Sequence, residues 1–276
     1  MRRQKISALL LRLSVYLASI LTVGALLFVV GYILVKGVPN LNFKMFAWHY
    51  NTDNLSLLPA LLNTILMTML SLLFAVPLGV FAAIYLVEYA HRGSRLVRII
   101  RMNAETLAGI PSIVYGLFGM LFFVTALKLG FSMLSGALTI SIMILPVILR
   151  TSEEALMSVP DSYREGSFGL GAGRLRTVFR VVLPDAIPGI LAGVILGVGR
   201  TVGETAALLY TAGTSSDTVS GIMDSARTLS VHMYALSQEG LYINQTYATA
   251  VVLLIIVIGI NALSASVAKR VSKRKI

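Results

Sequence analysis

Apolar and polar positions alternate along this chain on a scale set by a lipid bilayer. Six apolar runs, over 11–35, 60–87, 100–127, 131–149, 186–210 and 247–267, are separated by polar or charged stretches. A helix needs roughly 20 apolar residues, at about 1.5 Å each, to cross the hydrocarbon layer. The pattern therefore predicts an all-α membrane protein with six transmembrane helices. Only Lys128-Leu129-Gly130 parts the third run from the fourth, which predicts a tight hairpin. Arg2, Arg3 and Lys5 precede the first run as they would in a secretion signal. The run is longer than the roughly 7–15 apolar residues of such a signal, so we read it as an uncleaved anchor.

Basic residues orient the spans. Most of the 23 lysines and arginines fall in four places. These are the N-terminus (Arg2, Arg3, Lys5, Arg12), the loop after the second run (Arg92, Arg95, Arg98, Arg101), the segment after the fourth (Arg150, Arg164, Arg174, Arg176, Arg180) and the tail (Lys269, Arg270, Lys273, Arg274, Lys275). Lys36, Lys44, Lys128 and Arg227 fall on the opposite side. Positive-inside asymmetry then places both termini in the cytoplasm. The chain divides into an anchor helix with an external loop (1–56), a transmembrane core (57–268) with a cytoplasmic loop at about 151–184, and a basic tail (269–276). A second external segment spans 211–246. Its Val219, Ile222, Met223, Ala226 and Leu229 recur at helical spacing, which predicts a helix folded onto the outer mouth of the bundle.

Composition narrows the chemistry. The chain is 57% hydrophobic and 13% charged, against roughly 25% charged in soluble domains. Disorder is excluded by the hydrophobicity, and a disulfide scaffold or thiolate metal site by the lack of cysteine. His49, His91 and His232 lie outside the apolar runs, which leaves no imidazole site within the membrane. A net charge of +11 does not point to nucleic acid, because the basic residues sit at the ends of apolar runs, where lipid headgroups are the partner.

The segment 151–184 is long, polar and helix-patterned. Pro160-Asp161 stops what precedes it, and Ser162-Tyr163-Arg164-Glu165 fits a capping box. Gly169, Gly171 and Gly173 predict a turn. A second amphipathic stretch follows, with Leu175, Val178, Phe179 and Val182 on one face, and Leu183-Pro184 is expected to end it. Two short helices lying across the cytoplasmic face result. They suit either docking of a soluble partner or rest on anionic headgroups.

Glu165-Gly166-Ser167, three residues, Gly171, nine residues and Val181-Val182-Leu183-Pro184 together resemble the EAA loop of ABC importer permeases. That loop reads Glu-Ala-Ala, three residues, Gly, nine residues, Ile-x-Leu-Pro. Gly166 and Ser167 replace two alanines and Val181 replaces the isoleucine. The resemblance implies that about 161–176, with Glu165, Gly171, Leu183 and Pro184 as the loop's marker residues, is the coupling segment seated on an ATP-hydrolysing subunit. Residues 107–116 and 199–206 further resemble the phosphate-specific branch of that family, as Val231-His232-Met233-Tyr234 does more distantly. Glu204-Thr205-Ala206 and the lack of a long N-terminal extension favour the A-type over the C-type subunit. The resemblance covers most of 57–267. It implies a type I ABC importer permease (MetI-like) core in a prokaryotic plasma (inner) membrane, taking up inorganic phosphate by alternating access. Implied partners are a homologous C-type permease, two ATP-binding cassette subunits carrying ATP and Mg, and an external phosphate-binding protein. No cofactor is expected on this chain.

Charges inside the apolar runs are the candidate pathway residues. A charge at the bilayer centre costs on the order of 2.5–3.5 kcal/mol. Arg200 lies about 21 Å along the fifth predicted helix, and Glu204, four residues on, is expected on the same face. Two readings stand. Arg200 and Glu204 pair to hold the bundle, or Arg200 attracts an anion through its planar fork while Glu204 balances it. Gly193, Gly197, Gly199 and Gly203 are expected to let helices approach closely. Arg150, Glu153 and Glu154 form a second cluster at the inner end of the fourth run, either snorkelling to water or, as the resemblance implies for Arg150 and Glu153, gating. Glu105 is read as interfacial, and Pro77, Pro111 and Pro146 as kinks.

No Gly-x-x-x-x-Gly-Lys-Ser/Thr loop occurs, so ATP hydrolysis is expected of a partner and not of this chain. Another oxyanion, sulfate or molybdate, is the nearest rival substrate. An ion-coupled secondary transporter is the rival from another class, and would have no need of a docking loop.

Overall fold

The computed structural model describes residues 2–91 and 93–273, all of it helix, turn or loop. The anchor is α1 (Arg2–Gly37), and the second span is α2 (Leu58–Ile84), prolonged by a π-turn at Tyr85–Tyr89. Next come α3 (Arg95–Ala108), α4 (Ser112–Gly119) with a π-turn at Met120–Ala126, and α5 (Met133–Met157). α6 (Asp161–Gly169) is followed by α7 (Arg174–Thr177), which runs through a π-turn at Val178–Val182 into α8 (Leu183–Val202). α9 (Ala206–Leu209), α10 (Leu229–Glu239) and α11 (Ile243–Lys273) complete the chain.

α5 is the central element. Two-thirds (67%) of its apolar window is buried, against 33% for α2 and less for the other spans. It lies between α2 and α8, and small residues set both contacts. A Cβ on Gly79 of α2 would meet the Ile148 side chain 2.8 Å away, and one on Gly189 of α8 would meet Ala155 at 2.6 Å. Gly193, one turn further along α8, abuts Thr151. Lipid supplies no hydrophobic drive between helices, so van der Waals contact at such stripes carries the cohesion. Gly197, Gly199 and Gly203 have only ordinary contacts, at 3.7 Å and beyond, so the close approach expected of all four glycines holds at Gly193. Buried hydroxyls turn back on their own helices, as Thr64 does on the Ala60 carbonyl and Thr139 on that of Ser135. Ser141 of α5 also donates to the Ser71 carbonyl of α2 (2.9 Å).

α1 stands apart. None of its apolar window is buried within the chain, and it meets α11 at its C-terminal end, where Gly37 abuts the Tyr247 backbone and Tyr32 meets Tyr247 edge-on. The hairpin at Lys128–Gly130 forms as expected, with Lys128 and Gly130 both at positive φ. α2 and α5 run on through Pro77 and Pro146.

Two of the six expected spans are broken. The third is two helices, α3 and α4, bent by 102° at Gly109-Ile110-Pro111. Proline disfavours helical backbone in the residue before it, and Pro111 here caps α4. The fifth ends at Val202, and a non-helical Gly203–Thr205 link leads into α9. The segment 211–228 folds across one end of the bundle, without a helix over 219–226. Its carbonyls serve α5 instead: Met133 N–H donates to Asp224 O (2.8 Å) and Leu134 N–H to Ile222 O (2.9 Å), filling donors that a helix start leaves orphaned. Asp224 accepts from Ser220 and Gly221 N–H, and this tight turn cannot continue as helix. The Asn63 side chain of α2 pins the same segment through Asp217 O, Arg227 O and Val219 N–H.

His232 of α10 is buried beneath that segment, with Tyr50 edge-on and Arg227 beside its Nδ1. Its Nε2 makes no hydrogen bond among the described residues. Burial, then the Arg227 charge, pushes its pKa down to about 4, against a smaller opposing effect of the Leu55 backbone. The folded state thus holds the neutral ring. The resulting stability is full above pH 6.5 and is lost as pH falls from 6.5 towards 4. The loss is expected to be on the order of 1–3 kcal/mol, read as a falling thermal midpoint in detergent that His232→Asn flattens.

A second prediction concerns the small-residue stripe. Gly193→Ala is expected to lower the thermal midpoint through its collision with Thr151. Gly197→Ala, whose Cβ finds only contacts of 3.7 Å and beyond, is expected to be neutral or slightly stabilising by helix propensity.

Candidate functional site

Charged side chains gather at the α5 end that leads to α6. Arg150 and Glu154 point from α5 towards α3, where Glu105 completes the chain of contacts. Arg150 Nη1 donates to Glu105 (3.1 Å) and its Nε to Glu154 (3.2 Å). Glu153 takes a different partner, accepting from Arg101 Nε (2.6 Å) and Nη2. Glu105 is therefore a member of the cluster and not merely an interfacial residue, and Arg150 reaches only the i+4 glutamate. The bend at Gly109–Pro111 explains this, because it swings α3 across α5 and brings residues 45 to 52 positions apart into contact. These groups line a cleft of about 440 Å³ floored by Ala104, Ala108, Pro146 and Val147. Arg150 and its partners are about 60% exposed, whereas the Glu153 side chain is 7% exposed.

Arg200 and Glu204 do not join that cleft, nor each other. The helix break at Gly203 removes the shared face that an unbroken helix would give them. Glu204 is 9% exposed, and its carboxylate accepts from Ala207 N–H (3.1 Å), capping α9. Arg200, in the last turn of α8, is half-buried and makes no ion pair or side-chain hydrogen bond among the described residues. The two breaks pack on one another. Gly116 of α4 lies against the Ala207 backbone, and Tyr115 donates to the Leu107 carbonyl across the first break (2.7 Å). Irregular backbone at membrane depth persists only where protein or a polar cavity covers it.

α6 lies beyond the cleft. It starts at Asp161, with Pro160 at the N-cap and no side-chain cap bond, so the expected capping box does not form. Proline at 160 fixes φ at the N-cap, and the helix begins two residues earlier than a Ser162 cap would start it. Glu165 is exposed, and its side chain makes no hydrogen bond or ion pair among the described residues. Gly171 supplies the left-handed turn after α6, at φ +81°. Leu183 packs into the cluster of Ala83, Ile84, Leu156 and Val178, and Pro184 is exposed. Leu183-Pro184 does not end a helix. In a regular helix the Pro184 ring would crowd the Arg180 carbonyl; the wider π-turn at Val178–Val182 absorbs it, with Leu183 N–H donating to Val178 O. Among the described residues of 151–184, α6 is thus the one helix separate from the spans.

The sequence model of the binding-protein-dependent transport system inner membrane components matches residues 75–276. The chain belongs to this family. It is an integral, multi-pass permease component of the ABC transporter type. It is 32% identical over 230 residues to the probable ABC transporter permease protein YqgI of Bacillus subtilis, covering 76% of each chain. It is 36% identical over 220 residues to the phosphate transport system permease protein PstA 1 of Mycobacterium tuberculosis H37Rv, covering 78% of this chain and 70% of that one. Among solved structures, a bacterial alginate ABC transporter matches with TM-score 0.64 at 19% identity, over 92% of this chain and 95% of that one. The inward-facing MetNI methionine transporter matches with TM-score 0.55 at 19% identity, over 87% and 96%. At that identity the likeness establishes the fold, a MetI-type permease core.

Sequence reasoning overlooked two of this permease's buried charges. Arg164 and Glu88 form an ion pair of 2.7 Å with side chains 14% and 7% exposed. Glu88 lies one residue past the second apolar run, and that position was the only signal available. Burial also ranks the inner charges. Arg101→Ala strands the buried Glu153 and is expected to cost roughly 3 kcal/mol of stability. Arg150→Ala breaks only exposed pairs and is expected to cost less than about 1 kcal/mol. Denaturant titration of the detergent-solubilised protein checks the order.

Proposed function

We propose that this chain is the phosphate-conducting permease subunit of an ABC importer. The observation that carries the substrate is the 36% identity, across more than three-quarters of the chain, to a permease named for phosphate transport. Arg200 supports it: it makes no ion pair among the described residues, and such a guanidinium offers two parallel donors to a tetrahedral oxyanion. In this reading α6 docks a cytoplasmic subunit that binds ATP and Mg. Its exposed Tyr163, Phe168 and Leu170 supply apolar contact, and Glu165 an unengaged charge. Two such subunits, a homologous C-type permease and an external phosphate-binding protein complete the assembly. Both termini then face the cytoplasm of a prokaryote, and the tail and α6 share that side.

The cycle follows from the clusters. ATP binding draws the docked helices together and moves the inner end of α5 with them. Arg101–Glu153 and Arg150–Glu105 bridge α3 and α5 across the cleft, so their rearrangement opens or closes it. Arg200, held apart from them near the two helix breaks, receives the anion from the outer side. Hydrolysis in the partner resets the arrangement.

The test is labelled phosphate uptake by liposomes holding this chain and its partners. Uptake is expected to require ATP, and to fall by roughly tenfold or more in Arg200→Gln with the complex still assembled. Normal uptake by the variant would leave Arg200 a packing residue. Uptake of sulfate or molybdate in place of phosphate would overturn the substrate.

A further inference from the structure

Among the described residues, one side chain, Arg164, makes most of the polar contacts between α6 and the membrane core. α6 has nine residues, none fully buried, and only Arg164 and Ser167 are not exposed. Ser167 shares one hydrogen bond with Thr177 (2.8 Å). Arg164 engages all five of its N–H donors. Nε and Nη2 grip the Glu88 carboxylate (3.1 and 2.7 Å), and Nη2 also donates to the Leu156 carbonyl (2.9 Å). Nη1 donates to the Val159 carbonyl (2.7 Å) and to Asp161 (3.2 Å). One guanidinium therefore ties together the π-turn that prolongs α2, the carbonyl end of α5 and the first turn of α6. A cation is favoured at the carbonyl end of α5 by the helix dipole and the orphan carbonyls there.

The covalent route out of α6 is weak by comparison. After α6, Gly169, Gly171 and Gly173 have nothing within 4 Å of where a Cβ would stand. Such a turn lets the helix pivot without pushing on α8. Before it, Ser158–Pro160 is a short non-helical link.

We propose that the Arg164–Glu88 pair is the joint that carries displacement of α6 into α2 and α5, with Arg164 the positioning residue of energy coupling. This rests on the reading of α6 as the helix that docks the ATP-hydrolysing partner. The joint links that partner to α5, the helix bearing Glu153, Arg150 and Glu154. Lysine cannot replace Arg164, because three donors on a point charge cannot serve a carboxylate and two carbonyls in fixed directions.

The experiment measures phosphate moved per ATP hydrolysed in liposomes holding the whole complex, for wild type, Arg164→Ala, Arg164→Lys and the milder Glu88→Gln. The ratio is expected to fall by roughly tenfold in Arg164→Ala, within the usual range for coupling between sites, and by less in the other two. A purely structural role would lower uptake and hydrolysis together, so an unchanged ratio overturns the joint. Because the chain has no cysteine, Ser162→Cys and Phe81→Cys can carry spin labels, on α6 and α2, without background. Their separation is expected to stay constant on adding ATP in the otherwise wild-type chain and to shift in the Glu88→Gln chain. A separation equally constant in both overturns the proposal even where Arg164→Ala fails to assemble. A wild-type complex that moves no phosphate overturns the substrate reading instead, and the label distances still decide the joint.

Discussion

The bundle depends on α5 lying in van der Waals contact with α2 on one side and α8 on the other. In hydrocarbon no solvent drives helices together, so a missing methyl group at the contact is worth more than an added one. Gly79, Gly189 and Gly193 supply that vacancy, and α5 answers with Ile148, Ala155 and Thr151. With α5 fixed, its ends become reliable anchor points. Its N-terminal end takes the carbonyls of 222 and 224, and its C-terminal end presents Arg150, Glu153 and Glu154 to α3. Carbonyls at and just past that end then receive Arg164. The same helix thus holds the 211–228 cover, the charge cluster and the attachment of α6.

Much of this was legible in the sequence because membrane spans are written in composition. The apolar runs located α1, α2, α5 and α11, and Lys128-Leu129-Gly130 marked its hairpin. The loop spacing around Glu165 and Gly171 located α6. What escaped was set by backbone geometry or by distant pairs. Pro77, Pro111 and Pro146 look alike in sequence, yet only Pro111, beside Gly109, breaks its span, while the other two sit within continuous helices. Ser162 and Glu165 had the spacing of a capping box, but Pro160 started the helix before Ser162 could cap it. Arg164 and Glu88 lie 76 residues apart, and no local pattern announces such a pair.

The two helix breaks change how the charges are read. Continuous helices would have placed Arg200 and Glu204 on one face and left Glu105 at an interface. Broken at Gly203, the fifth span gives Glu204 to the start of α9 and leaves Arg200 without a counter-ion among the described residues. Broken at Gly109–Pro111, the third span delivers Arg101 and Glu105 to α5. At the end of α5 that leads to α6, two arginines meet three glutamates and each arginine is paired, while Arg200 makes no ion pair among the described residues.

α1 obeys a different rule from the core. Its apolar length is bare within this chain, it touches α11 at its C-terminal end, and it lies outside the residues matched by the family model. Contacts within the chain ask nothing of most of that helix but oiliness. Its residues can therefore drift among leucine, valine, isoleucine and phenylalanine at little cost, while a single methyl at Gly37, pressed against Tyr247 and Val251, is resisted. Over evolutionary time such a helix is expected to keep its composition and lose its spelling.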